Sequence, residues 1–270
     1  MTVNNKKVLD LFSLQDSIAI VTGGAGRLGF QHVQILHDAG ARVISFDVIK
    51  NTDLKDIADQ IVVDITDRNK VIRAVNTVVK KYGHIDILIN NAALNPRVGK
   101  DQGAREEQQW APHEEYSEEL WRSEFDVGLH GAFFCTQAVA RHMIKQNKGV
   151  VLNIASTSAI TAPDHRKYKP GRFKSPAYPV VKTALLGLTR SWASYFSRVA
   201  PRVRVNAVCF GAVNFGLLEP EFLAKRGERN MLGRPAQPED YQGVVLFLCS
   251  QASVFLTVST VIMDGGQTAW

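Results

Sequence analysis

In Ile18-Ala19-Ile20-Val21-Thr22-Gly23-Gly24-Ala25-Gly26-Arg27-Leu28-Gly29 an apolar run stops at a cluster of small residues, and an amphipathic segment begins at once. That order predicts a strand, a tight turn and a helix N-terminus. Glycines at such a turn permit positive φ and a close backbone approach to a ligand. The first N–H groups of the helix lack an intrahelical partner, so the place suits a pyrophosphate.

Gly24-Ala25-Gly26-Arg27-Leu28-Gly29 fits G-x-G-x-x-G, a pattern that a plain strand-to-helix connection also satisfies. Its neighbours favour a dinucleotide site. A helix fits residues 30–39 before Gly40, and Arg42-Val43-Ile44-Ser45-Phe46 reads as a second strand closing on Asp47. That acid falls about 20 residues past the turn, where a carboxylate meets ribose hydroxyls.

Further strands are expected over 60–63, 85–89, 150–154 and 203–207, with a buried one near 260–263. Helices are expected over 68–82, with Asp67 as N-cap, and over 117–146, 177–197 and 239–250. Short apolar strands alternating with longer amphipathic helices, without internal duplication, predict an α/β fold. Residues 1–270 then form a single domain, a doubly wound parallel sheet (Rossmann fold) with helices on both faces. Leu11, Phe12 and Leu14 would cover one edge of the core. Ligands of such sheets bind beyond the strand carboxyl ends, so the turns at Gly24, Asn91 and Ser156 should converge on one crevice. Loops at about 94–116, 157–177 and 212–235 are expected to meet the substrate.

Composition excludes several alternatives. Hydrophobic residues are 45% and charged ones 21%, which suits a globular core rather than a disordered or fibrous chain. The net charge is +6, but Lys and Arg are interspersed with acids, so no nucleic-acid partner is expected. The exception is His165-Arg166-Lys167-Tyr168-Lys169-Pro170-Gly171-Arg172-Phe173-Lys174, which holds no acid. Cys135, Cys209 and Cys249 form no C-x-x-C and the histidines no H-E-x-x-H, so neither disulfide framework nor metal site is indicated. Buried free thiols fit a reducing compartment, the cytoplasm. The uncharged run 241–263 has the length of a membrane span, but its polar residues and its change to a β-branched pattern favour helix, loop and strand, with no membrane role. Residues 1–10 lack the apolar core of a secretory signal.

Tyr178-Pro179-Val180-Val181-Lys182 places a phenol and an ammonium on one helix face, and no other tyrosine has a lysine at that offset. A free phenol ionises near pH 10, so acid–base work near neutrality asks for a shift of about three units, or about 4 kcal/mol. The lysine charge and an oxidised nicotinamide would supply much of it. By itself the pair also fits an ordinary solvated helix face. Asn153-Ile154-Ala155-Ser156 adds a hydroxyl at a neighbouring strand end, able to hold a substrate oxygen against the phenol. Thr157 and Ser158 offer the same group, so spacing leaves that choice open.

Together, Thr22 to Gly29, Asn90-Asn91-Ala92, Asn153 to Ser156, Tyr178 to Lys182, Val205-Asn206-Ala207 and Asp264-Gly265-Gly266 resemble the short-chain dehydrogenase/reductase family across nearly the whole chain. The resemblance implies that Tyr178 is the acid–base residue, that Lys182 binds the nicotinamide ribose and lowers the tyrosine's pKa, and that Ser156 orients the substrate oxygen. It also implies cofactor contacts at Gly23, Gly26, Arg27, Leu28 and Gly29. Asp47 would take the adenosine ribose, Asp64 and Ile65 the adenine, Asn91 the central region, and Gly211 to Val213 the carboxamide. Asp47 favours NAD over NADP, because a carboxylate repels a 2′-phosphate.

The chain departs from the family pattern in four places. Arg27 occupies the middle glycine position, leaving Gly26 to take over the turn. Gly128 stands where a relay asparagine is usual, with only a backbone carbonyl to hold a water. Phe210 replaces the proline before Gly211, and the segment from Ser156 to Tyr178 is long and basic. Leu11-Phe12-Ser13-Leu14 and the ending Asp264-Gly265-Gly266-Gln267-Thr268-Ala269-Trp270 resemble the gluconate 5-dehydrogenase-like subgroup. Ala162-Pro163-Asp164 resembles sugar dehydrogenases of surface-glycan pathways.

The implied activity is hydride transfer between NAD(H) and a secondary alcohol or ketone of a sugar, sugar acid or polyol. The substrate would be a polyhydroxylated small molecule, anionic if Arg97, Lys100, Arg105 and the basic stretch contact it. A homo-tetramer or dimer is implied, for which Phe133, Phe134 and the apolar C-terminal region are available. Two other readings are a catalytically weak dinucleotide-binding sensor or scaffold, suggested by Gly128, and nucleic-acid binding through the basic stretch, which predicts salt-sensitive affinity.

Overall fold

Five consecutive buried residues make β1 (Ile18–Thr22) a central strand, since a strand covered on both faces is continuously apolar. It runs parallel between β2 (Arg42–Asp47) and β4 (Ile87–Asn90). Outside these lie β3 (Asp59–Val62) on one side and β5 (Gly149–Ser156), β6 (Val203–Phe210) and β7 (Thr260–Met263) on the other. The computed structural model describes residues 7–94, 110–216 and 220–269, and among them the sheet has seven parallel strands in the order β3-β2-β1-β4-β5-β6-β7. The order reverses between β1 and β4, which opens a crevice at their carboxyl ends.

Helices α1 (Arg27–Asp38), α2 (Arg68–Tyr82), α3 (Glu118–Phe125), α4 (Gly131–Gln146), α5 (Ala177–Val199), α6 (Pro220–Glu228) and α7 (Gln242–Cys249) accompany the strands. Val71 and Val75 of α2, Val139 of α4 and Phe196 of α5 bury one face of the sheet. Val33 and Leu36 of α1 and Val245 and Leu248 of α7 bury the other, where Leu14 joins them. Each such side chain contributes about 1.5–3 kcal/mol by leaving water. Asp67 caps α2 by accepting from the N–H groups of Asn69 and Lys70 at 2.9 and 3.0 Å, as its sequence position predicts. The three cysteines are buried free thiols. Among the described residues, no helix is long and apolar enough to cross a membrane.

Several expectations need correction. The helix expected over 117–146 is interrupted by a π-turn at Asp126–His130. Gly128 lies in that turn against α5, and a Cβ on it would stand 2.6 Å from Val181 Cγ1. The extra residue of a π-turn shifts the backbone while helical periodicity continues on either side, so apolar spacing does not register it. β7 is not buried: it is the sheet's last strand, and Ile262 is 51% exposed. The helix expected over 239–250 is a 3-10 turn, Pro238–Tyr241, followed by α7. β5 and β6 both run past their expected ends, which carries Ser156 and Phe210 to the rim of the crevice.

His32 of α1 is fully buried near Phe210, with ring centroids 6.0 Å apart, and neither of its ring nitrogens has a hydrogen-bond partner. Burial lowers its pKa from 6.5 to about 3. Below pH 6.5 the unfolded chain binds a proton that the folded chain refuses until about pH 3, so stability is lost as the pH falls through that window. The slope is about 1.4 kcal/mol per pH unit. His32→Met should therefore remove about 2 kcal/mol of the stability difference between about pH 6.5 and pH 5, read from urea midpoints. An unchanged acid slope would contradict the assignment.

Candidate active site

The turn after β1 needs glycine for more than one reason. Gly23 is its left-handed residue, with φ at 65°, and its N–H donates to Phe46 O at 2.7 Å. Gly26 closes the turn, its N–H donating to Gly23 O at 3.1 Å, and serves as the N-cap of α1 in extended conformation. Close approach constrains the others. A Cβ on Gly24 would lie 2.4 Å from Ser45 Oγ, and one on Gly29 would lie 2.0 Å from Gly23 O. The helix starts at Arg27, so Arg27, Leu28 and Gly29 form its first turn, with Phe30 N–H bonded to Gly26 O at 2.8 Å. Leu28 packs on the core. The Arg27 guanidinium lies 6.0 Å from the ring centroid of Phe215, in the segment after β6.

Asp47 ends β2 against this turn. One carboxylate oxygen accepts from Ala25 N–H at 3.0 Å and the other from Val48 N–H at 2.7 Å. The second oxygen also accepts from Ile49 N–H at 3.4 Å, so the oxygen facing Ala25 is the one that keeps capacity for a hydroxyl donor. Asn91 fastens the end of β4 to that of β1, its side-chain amide donating to Thr22 O at 2.9 Å and Gly23 O at 3.2 Å. Asp64 accepts from the Thr66 N–H and hydroxyl at 2.9 and 2.7 Å. Ile65 is buried, its Cδ1 2.6 Å from where a Cβ on Gly131 would stand. Gly211 N–H reaches Met263 O at 3.2 Å, and Val213 forms a bridge with Ala236. All these residues lie at or just beyond strand carboxyl ends. An added Cβ at Gly24 or Gly29 would strike Ser45 or the Gly23 main chain, so β1 and α1 meet closely here, the arrangement that sets a dinucleotide pyrophosphate at a helix N-terminus.

Behind the crevice, Asn90 donates to Asn153 Oδ1 at 2.8 Å and Thr136 Oγ1 at 3.0 Å, while Asn153 donates to Thr189 Oγ1 at 2.8 Å. This buried chain ties β4, β5, α4 and α5 together and fixes how Ser156 meets Tyr178. The Ser156 side chain lies near enough to the Tyr178 phenol to favour its ionised form. Ser156 Oγ also accepts from Ser158 N–H at 3.2 Å. Lys182 is buried, donates from Nζ to Ile154 O at 2.7 Å, and has its ammonium 5.7 Å from the Tyr178 ring centroid. Of the three hydroxyls at this strand end, Ser156 is the one that acts on the phenol's ionisation. α5 opens where Ser175 Oγ accepts from the N–H groups of Ala177 and Tyr178 at 3.1 and 3.3 Å, a local arrangement that aims the phenol inward.

Sequence reasoning missed a buried group beside the phenol. The Lys174 ammonium lies 4.0 Å from the Tyr178 ring centroid, on the ring that Lys182 also approaches. Glu124, buried, accepts from Ser175 Oγ at 2.6 Å and from the Tyr116 hydroxyl. The rings of Trp110 and Tyr168 meet at a tilt of 51° with centroids 5.1 Å apart, and Lys174 N–H donates to His165 Nδ1 at 3.2 Å, so the basic stretch folds back over the site. Arg97, Lys100 and Arg105 lie outside the described residues.

Burial pushes the Tyr178 phenol up to about 12, against the opposing influence of Ser156. Burial likewise lowers Lys182 to about 8, and Lys174 to about 7 despite the neighbouring Glu124 charge. The phenol of the protein alone therefore moves away from neutrality, opposite to the direction acid–base work needs. Positive charge beside the ring acts in the other direction, favouring the phenolate.

A parallel sheet with a phosphate-cradling turn and a serine–tyrosine–lysine group at the same crevice defines a nucleotide-binding oxidoreductase. The family model described as enoyl-(acyl carrier protein) reductase matches residues 24–268. The 3-oxoacyl-[acyl-carrier-protein] reductase FabG of Thermotoga maritima is 32% identical over 265 residues, 94% of this chain and 98% of the relative. Gluconate 5-dehydrogenase of Gluconobacter oxydans is 32% identical over 273 residues, 96% of this chain and 97% of the relative. The crystal structure of a gluconate 5-dehydrogenase from Burkholderia cenocepacia, in complex with NADP and tartrate, superposes with a TM-score of 0.82 at 27% identity, covering 98% of this chain and 100% of that one. The chain belongs to the short-chain dehydrogenase/reductase family. It is an oxidoreductase, which sets aside the sensor or scaffold reading.

Proposed function

We propose that this oxidoreductase transfers hydride between NAD(H) and a secondary alcohol or ketone of a sugar, sugar acid or polyol. The Lys182 ammonium 5.7 Å from the centroid of the Tyr178 ring, with Ser156 acting on the same phenol, carries the reading. When bound, the nicotinamide exchanges the hydride and, oxidised, adds positive charge near the phenol. The Ser156 hydroxyl holds the substrate oxygen, and Tyr178 Oη takes its proton in oxidation or returns it in reduction. Lys182 holds the nicotinamide ribose and favours the phenolate. Gly23, Gly26, Arg27, Leu28 and Gly29 hold the pyrophosphate, Asp47 the adenosine ribose, Asp64 and Ile65 the adenine, Asn91 the centre, and Gly211 with Val213 the carboxamide. Gly128 offers only its main chain to a proton relay, since its packing on Val181 leaves no room for an asparagine side chain.

The relative acting on gluconate supports a polyhydroxylated substrate. Asp47 supports NAD over NADP, although the Burkholderia relative holds NADP. We place homo-oligomer contacts, as tetramer or dimer, on the half-exposed Phe133 and on Phe255 and Ile262 near the C-terminus.

The test is a panel of sugar acids, polyols and keto sugars assayed in both directions with each cofactor. Turnover of a panel member is expected, with kcat/KM for NAD at least about tenfold above that for NADP, given the cost of placing a phosphate against a carboxylate. A preference for NADP would contradict the role of Asp47.

A further inference from the structure

Lys174 lies just before α5, and its surroundings grip it by the main chain from both sides. Its N–H donates to His165 Nδ1 at 3.2 Å, and its carbonyl oxygen lies 3.2 Å from His113 Nε2. On either side, Phe173 N–H donates to Trp110 O at 3.0 Å and Ser175 Oγ donates to Glu124 at 2.6 Å. The residue held in this way is 7% exposed. Its ammonium sits 4.0 Å from the Tyr178 ring centroid, nearer than that of Lys182 at 5.7 Å.

Taking a lysine charge out of water is costly unless something nearby compensates it. The buried Glu124 contributes charge without a bond to the ammonium: its Oε1 accepts from Ser175 Oγ and the Tyr116 hydroxyl, and its Oε2 has no hydrogen-bond partner. The Tyr178 ring supplies a contact. A π face attracts a desolvated cation, and the attraction grows once the phenol has lost its proton and carries a full negative charge. Burial brings the ammonium down to about 7 against the pull of Glu124, and a phenolate beside it raises it again, so the two groups titrate as a pair. The other groups acting on the phenol are Ser156 of β5, Lys182 of α5 itself, Glu124 of α3, Tyr168 of the basic stretch and Arg226 of α6. Glu124 and Tyr168 oppose its ionisation, while Ser156 and Arg226 favour it.

We propose that Lys174 is a second positioning residue for Tyr178, whose ammonium holds the ring in place and stabilises the phenolate that takes the proton of the alcohol. The proposal rests on the reading of Tyr178 as the acid–base residue given above. It gives the end of the basic stretch a task in the chemistry.

The test labels the tyrosines with carbon-13 at Cζ, whose resonance reports phenol ionisation, and titrates the NAD complex of the full chain, with Tyr178→Phe assigning the signal. Lys174→Met should raise the pH at which Tyr178 ionises by about one pH unit or more, the effect of losing a neighbouring opposite charge. The acidic limb of kcat/KM for alcohol oxidation should move to higher pH by the same amount, because the phenolate is the base and becomes scarcer at a given pH. Adding Lys174→Met to Glu124→Gln separates this from a counter-ion role, and removing both charges avoids leaving a carboxylate buried without its neighbour. If Lys174 only balances Glu124, its loss moves nothing once the carboxylate is gone; under the proposal it still raises the ionisation. Circular dichroism checks the fold. An ionisation unchanged by Lys174→Met, or unchanged by it in the Glu124→Gln background, would overturn the proposal. A shifted resonance with an unshifted rate profile would instead count against Tyr178 as the base and leave the effect of Lys174 standing.

Discussion

Tyr178→Phe is expected to lower kcat on the preferred alcohol by about a hundredfold to ten-thousandfold, the range over which a positioned acid–base group contributes. Affinity for NADH should stay within about threefold. The substitution removes one oxygen and keeps the ring that lies 4.0 Å from the Lys174 ammonium and 5.7 Å from that of Lys182. Ser156 Oγ retains the Ser158 N–H as a partner, so the site does not collapse. The loss should fall on kcat and kcat/KM together, as for an interaction made in the transition state, and should appear in both directions of reaction. Steady-state kinetics on the panel measures it. Normal turnover by the variant would remove Tyr178 from the chemistry.

Gly29→Ala is expected to weaken dinucleotide binding at least about a hundredfold and to cost about 1–3 kcal/mol of stability, as overpacking a closed backbone site does. Its Cβ would meet Gly23 O at 2.0 Å and Gly24 Cα at 2.8 Å, both main-chain atoms of the phosphate turn. No side-chain rotation relieves that overlap, so β1 and α1 must part where the pyrophosphate is to sit. Gly187→Ala in α5 is the contrasting case. Its Cβ would meet nothing within 4 Å, and alanine is favoured there by about 1 kcal/mol as a helix former. Thermal melts and NADH titration of both variants measure the difference. Equal behaviour of the two would show that the turn tolerates a side chain.

Much of this arrangement was legible in the sequence because it is local. A strand, a small-residue turn and an acid at the next strand end fall within thirty consecutive positions, residues 18–47, and their order alone places Asp47 against the turn. Tyr178 and Lys182 share a helix, so their spacing is their geometry. What escaped depends on contacts between distant segments. Which glycine of the turn is left-handed is set in three dimensions: it is Gly23, where an added Cβ would also strike Ala92 across the crevice, and no local pattern states that contact. The π-turn holds Gly128 against Val181, more than fifty positions away, a contact that local spacing does not register. The exposure of β7 follows from its place at the sheet's edge, although its residues resemble those of an interior strand. Lys174 and Lys167 looked alike as members of one basic run. Folding puts the first on the Tyr178 ring and the second in a cavity beyond Ser156.

The central claim is hydride transfer at the Ser156–Tyr178 pair, and following a deuterium label tests it most directly. With a panel alcohol deuterated at its carbinol carbon and unlabelled NAD, the label should appear in the nicotinamide ring of the reduced cofactor and the rate should show a primary isotope effect under chemistry-limited conditions. Oxidised product formed with the deuterium released to water, or retained in the product, would contradict the account.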